Sequence, residues 1–257
     1  MSVVERVLEL RAGYQPPGFA HVPGPDAAIF LCAVDHKTGY VRPHRVGGEG
    51  PFEGSELMWA VALADGGDAL RAERLHDVGA AAVAELFRVE DETVADPEVR
   101  SALWRDLAAG LVATYEGEAS VLLAASDSTL GGPGGLLERL AAFAAYGDPL
   151  AKKAQLFAKI AERRGWFEVR DPEHWQVSAD NVLMRLALRS GLVEPGDLSE
   201  VRAATRDAFK RLALATEISP PVLDDMLWEL GRADPDLLGN AAGDLVEPPR
   251  DTGSAWY

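Results

Sequence analysis

Two residues in the middle of the chain carry side chains suited to nucleophilic or electrostatic chemistry: Lys159 and Asp180. A lysine amine attacks an electrophilic carbon once it has lost its proton, and burial among other cations lowers its pKa towards that state. A carboxylate activates water or stabilises positive charge developing on a sugar ring. Both lie in one stretch, from Asp148 to Val193. Asp148 is a favoured N-cap, and Pro149 suits the first helical position, where its missing N–H costs nothing. The spacing predicts a helix over 149–164 ended by Gly165, then a connector, then a helix from Asn181 ended by Gly191. Lys159 sits on the first helix and Asp180 at the mouth of the second.

Each residue also has a plainer reading. Leu150, Ala154, Phe157 and Ala161 mark one buried stripe of the first helix. Lys159 lies about 180° from Leu150 at roughly 100° per residue, close to Lys152 and Arg163, as on a solvated basic face. The chemical reading needs a second apolar stripe, which Leu156 and Ile160 supply in part. Asp180 is the N-cap its helix requires, and Leu183 stands where a capping box would place Glu or Gln. Asp225 lies at the margin of a core face made by Leu223, Met226, Leu227 and Leu230, and reads as a solvated acid of a first turn. Trp59, Trp175 and Trp228 read as core, with one stacking ring expected if a base is bound. His36 and His44 sit in glycine-rich loops without a third ligand at useful spacing, which argues against a metal site.

Charge narrows the partners. The 257 residues carry a formal net charge of −16. From Asp148 to Arg211 there are 12 Lys and Arg against 10 Asp and Glu, a balance of +2 that leaves −18 for the remainder. A locally basic segment in an acidic chain suits a small anionic ligand or a brief contact with a nucleic-acid backbone better than a long binding groove. Cys32 is the only cysteine, so there is no disulfide frame and no cysteine-rich metal or iron–sulfur site. No apolar run approaches the length of a bilayer span and the N-terminus lacks a signal pattern, so a cytoplasmic protein is expected. Nothing matches a phosphate loop, a strand–GxGxxG–helix unit or a G-x-S-x-G elbow. Phosphate-loop nucleotide hydrolysis and serine hydrolysis are thereby disfavoured.

The expected fold is mainly α, a single domain in which residues 1–54 form an irregular wrap around a helical core. Helices are predicted over 3–11, over 54–63 with Ser55 as cap, and over 68–75, 77–88, 97–115, 118–125 and 136–146. Ser199 caps a helix to about Ala215, and Ser219-Pro220 opens a last one that ends at Gly231. The apolar run Ala27–Val34 fits a buried strand or a buried helix equally. Glycines and a proline break 126–135, and the tail 234–257 is expected to be irregular.

The segment Lys152-Lys153-Ala154-Gln155-Leu156-Phe157-Ala158-Lys159-Ile160, with Val177-Ser178-Ala179-Asp180-Asn181 and Ala187–Val193, resembles the archaeal 8-oxoguanine DNA glycosylases of the helix-hairpin-helix superfamily. It is also similar to the queuosine-nucleotide hydrolases of queuine salvage, through Lys152-Lys153-Ala154-Gln155, Asp180 and Asp225-Met226-Leu227-Trp228. The resemblance covers 148–231 and departs from the glycosylase pattern at Val177-Ser178-Ala179, where that family has a proline-rich lead. It implies a helical bundle of helix-hairpin-helix glycosylase type and breakage of an N-glycosidic bond in a modified purine. Lys159 would then be the Schiff-base nucleophile and Asp180 the catalytic carboxylate. Lys152, Lys153, Gln155, Asp225 and Trp228 would meet a substrate that is modified DNA or a modified nucleotide, with no cofactor. The contrasting expectation is an acidic helical interaction protein without activity, in which Lys159 is solvated and Asp180 only caps.

Overall fold

The computed structural model describes residues 2–243, 247–249, 253 and 255–256. The chain is mainly α. In order it forms α1 (Val3–Gly13), α2 (Pro25–Ala33), β1 (His44–Val46), β2 (Glu49–Phe52), α3 (Gly54–Leu63), α4 (Ala72–Leu75), α5 (Ala80–Leu86), α6 (Pro97–Thr114), α7 (Ala119–Ala125), α8 (Leu136–Ala141), α9 (Lys152–Arg163), α10 (Asn181–Arg189), α11 (Leu198–Thr216) and α12 (Pro220–Ala233). The only sheet among the described residues is the antiparallel pair β1–β2, joined by Gly47-Gly48, both at positive φ. Such a turn suits a two-residue hairpin loop. The strands are too short to show alternation, so the sequence reads there as loop. No single helix among the described residues is long and apolar enough to cross a membrane.

Where one bundle is expected, the contacts gather into two compact units. The terminal unit comprises Met1–Gly18 with Pro172–Ser254, and the middle unit Phe19–Asp171 with Ala255–Tyr257. The first 54 residues are therefore not one irregular wrap. Their helix α1 belongs to the terminal unit, whereas α2 and the hairpin belong to the middle one.

The middle unit is built around α2. Pro25 stands in its first turn, and every residue from Ala27 to Val34 is buried. A helix buried on all sides has no amphipathic period, which is why this run is ambiguous in sequence. Helices α6, α7 and α9 pack on it. Trp104 Nε1 donates to Phe30 O at 2.7 Å, and Tyr146 Oη donates to Ile29 O at 2.6 Å. The glycine-rich 126–135 segment is held as a fixed loop. Asp171 accepts from Leu130 N and Gly131 N at 2.6 and 2.9 Å.

In the terminal unit α10 packs between α11 and α12, and α1 lies on α11. The core includes Leu183, Leu186, Phe209, Leu223, Met226 and Leu227. A capping box opens α11, but the cap is Asp197 with Glu200, and the expected cap Ser199 donates to Asp197 instead. Similarly α3 starts from Glu53, and Ser55 donates to Asp35 Oδ1 at 2.6 Å. Past α12 the described residues to Gly243 form turns, with Leu237 and Leu238 buried in this core. Most of the expected irregular tail beyond Gly243 lies outside the described residues.

The last helix does not end at Gly231. It runs on to Ala233, and Gly231 is instead the close-packing point against α10. A Cβ there would stand 2.7 Å from Leu186 Cδ1 and 3.1 Å from Val182 Cγ1. Gly231→Ala should therefore destabilise the fold despite alanine's better helix propensity, by roughly 1–3 kcal/mol for overpacking. Urea unfolding measures this, and an unchanged or higher midpoint would show that α10 gives way freely.

Candidate functional site

Both chemical residues stand where local sequence determinants place them. Asp180 caps α10, its Oδ1 accepting from Val182 N at 2.9 Å and Leu183 N at 3.0 Å. That sets a carboxylate at the positive end of a helix dipole. The far end of α10 closes on Gly191 at φ +74, with Gly191 N bonded to Leu188 O and Leu192 N to Ala187 O. The same double bond pattern closes α9 at Gly165.

The start of α9 differs from expectation. The helix begins at Lys152, after Ala151 in a left-handed conformation, rather than at Pro149. Asp148 still serves the entry, its Oδ1 accepting from Leu150 N and its Oδ2 from Lys152 N, each at 3.1 Å.

The larger correction concerns the faces of α9. No residue from Lys152 to Arg163 is exposed: Lys153, Gln155 and Lys159 are 0%, 2% and 4% accessible. The solvated basic face expected around Lys159 does not exist. The reason is tertiary, because α9 packs along α2 and α8, so polar residues between its apolar stripes are covered too.

What draws lysines inside is the C-terminal end of α2. The last carbonyls of a helix lack intrahelical partners, and buried ones need donors. Lys153 Nζ donates to Ala33 O at 2.6 Å and contacts His36 Nδ1 at 3.2 Å. Lys152 Nζ reaches Asp35 O at 3.4 Å. Arg100, fully buried on α6, donates Nη2 to His36 O at 2.6 Å and Lys37 O at 3.1 Å, Nε to Ala95 O at 2.7 Å, and Nη1 to Val34 O. Three cations thus gather at the negative end of a buried helix, with the buried Asp35 beside them.

This gathering changes the acid–base character of its members. Burial, and next the charge of Lys152, pull the Lys153 amine down to about 7. Burial similarly draws Arg100 down to about 10, against the pull of Asp35. His36 is held far below the ordinary imidazole range by burial first and Lys153 second. Lys153, expected from sequence only as a substrate contact, is thus an amine displaced towards its neutral form. The signal was available: α2 has no glycine or cation of its own to close its end.

The remaining predicted residues divide between the units. Gln155 lies buried on α9 in the middle unit. Asp225 belongs to the terminal unit and is only 8% accessible, so it is not the solvated acid expected. Its neighbour Asp224, not singled out in sequence, is 5% accessible and accepts from Ser178 N at 2.6 Å. Trp228 is half-buried under the Arg232 guanidinium, 4.7 Å from its ring centre, whereas Trp59 and Trp175 are core.

The sign of the pH dependence follows. Lys153 releases its proton near 7 when folded but only at about 10.4 when unfolded, so between these values the unfolded chain binds the extra proton. Stability therefore rises with pH across that window. His36 acts in the same direction below about pH 6.5, where the unfolded chain takes up a proton that the folded one refuses. Urea unfolding of the protein and of Lys153→Met between about pH 7 and 9 should show a steeper climb for the unaltered chain. Parallel curves would contradict the burial of a neutralised amine.

No protein-family signature matches the chain, and no curated protein matches it. Among solved structures it is similar to an 8-oxoguanine DNA glycosylase from Pyrobaculum aerophilum, determined with 8-oxoguanosine bound. The identity is 14% and the TM-score 0.44, over 90% of this chain and 78% of that one.

Proposed function

We propose that the chain is an N-glycosidase that releases a modified purine from DNA, with an α9 amine as nucleophile; the resemblance separately assigns a catalytic role to Asp180. The observation that supports this reading is the burial of two amines on α9, Lys153 and Lys159, both withdrawn from water. In the reaction, neutral Nζ attacks C1′ as the C1′–N bond breaks and the base leaves with the electron pair. The nitrogen then loses its proton and the sugar ring opens to an imine. Lys159 is the attacker that the resemblance assigns, and Lys153, whose Nζ is bonded to Ala33 O, is the alternative. The resemblance of 148–231 to both glycosylases and queuosine-nucleotide hydrolases supports the reaction type. The balance of −18 outside Asp148–Arg211 favours a free nucleotide as the second reading, with water as nucleophile.

Incubation with duplex DNA holding 8-oxoguanine, and separately with queuosine 5′-monophosphate, followed by chromatography of the freed base, tests the reaction. Borohydride should trap protein on the DNA, and Lys159→Ala should abolish the adduct. Trapping that survives in Lys159→Ala and disappears in Lys153→Met would move the nucleophile to Lys153. Asp180→Asn keeps a good N-cap and should slow base release by about 10²-fold or more. Base release from the nucleotide alone, without any adduct, would establish the hydrolase reading. Release from neither would remove both.

A further inference from the structure

The C-terminal end of α9 presents a second feature, separate from the lysines. Here Arg163 and Arg164 follow one another, and each guanidinium lies over an aromatic ring. The Arg163 guanidinium carbon is 5.6 Å from the Phe19 ring centre, and that of Arg164 is 5.2 Å from Trp166. Phe19 in turn packs against His21, the ring centres 6.4 Å apart. His21 is held below the ordinary imidazole range by burial first and by the Arg164 charge second. Consecutive Arg163 and Arg164 thus carry two ring contacts at one helix end within the middle unit.

The backbone holds the patch in shape. Gly165, at φ +72, turns the chain so that Trp166 N bonds back to Ala161 O, bringing the indole under Arg164. Phe19 adopts φ +53, an uncommon conformation for a residue with a side chain, and Val22 N donates to its carbonyl at 3.0 Å. Both arginines are half-buried, and the Arg164 Nε–H is buried without an acceptor among the described residues. From Lys159 to Arg170 there are four cations against the acids Glu162 and Glu168, in a chain of net charge −16.

Arginines at a helix C-terminus have a structural use, since they complement the dipole. That does not account for an aromatic ring centre within 5.6 Å of each of two consecutive guanidinium groups. Stacking pre-orders the planar fork, so less freedom is lost when its N–H edges meet phosphate oxygens. Aromatic rings beside such cations are the usual company of a nucleic-acid strand.

We propose that Arg163 and Arg164, lying over Phe19 and Trp166, are a phosphate-contacting surface for a DNA strand. This deepens the N-glycosidase reading by favouring DNA over a free nucleotide, and its test needs no base release, so the two can fail separately. Binding of the full chain to fluorescein-labelled, unmodified duplex DNA is followed by anisotropy across a salt series. The unaltered protein should bind at low salt with a linear dependence of log K on log salt. Arg163→Gln with Arg164→Gln should weaken binding at low salt and reduce that slope by roughly 1–2, at about 0.9 per phosphate lost. Arg163→Lys with Arg164→Lys keeps both charges and should keep most of the slope. Loss of the slope in the lysine pair as well would assign the effect to stacking within the protein and overturn the contact. Removing the exposed, ion-paired Arg71 and Arg88 of the same unit should leave the slope unchanged. An equal drop in that control, an unchanged slope in the glutamine pair, or no binding by the unaltered protein at low salt would each overturn the proposal.

Discussion

The end of α2 is the constraint on which the middle unit turns. A helix buried from Ala27 to Val34 delivers unpaired carbonyls into the interior, and each must find a donor. Trp104 and Tyr146 serve Phe30 O and Ile29 O, and at the helix end the donors are cations, Lys153 on Ala33 O and Arg100 on Val34 O, with Lys152 on Asp35 O just beyond. Leaving one such carbonyl unpaired costs about 1–3 kcal/mol, a sizeable share of ordinary stability. Burying the cations has its own cost, which the carbonyls, the helix dipole and Asp35 offset. The cluster therefore determines how α9 meets α2, and hence that α9 has no wet face.

The same contact yields the chemistry. An amine buried to satisfy a helix end is displaced towards its neutral form, because burial and neighbouring positive charge both disfavour the ammonium. A structural requirement thus leaves a residue with the acid–base property of a nucleophile. Asp180 shows the complementary case, since the bonds that begin α10 also fix its carboxylate. In both, a group that completes a helix terminus is among those proposed to act on the substrate.

What could be read from the sequence was local. Asp180 as cap, Gly165 and Gly191 as stops, and the helix beginning at Pro97 follow from short-range backbone rules, and all are present. What failed depended on tertiary partners. Lys159 sits opposite Leu150 on a helical wheel, and nothing in the wheel says that the opposite face is covered. Asp225 reads as exposed for the same reason. Ser55 and Ser199 both have the side chain of a cap, yet each is drawn into a bond with a nearby aspartate. Lys153 was within reach of sequence reasoning only through the question of where the carbonyls of Ala27–Val34 find donors.

The central claim is that Lys153 is a largely neutral amine at physiological pH because it is buried at the end of α2. Its direct measurement is a titration of the lysine side chains by NMR, with the Lys153 resonance assigned through Lys153→Met. The account predicts a Lys153 midpoint near 7, absent from the variant. A Lys153 midpoint near the ordinary lysine value of about 10.4 would contradict it.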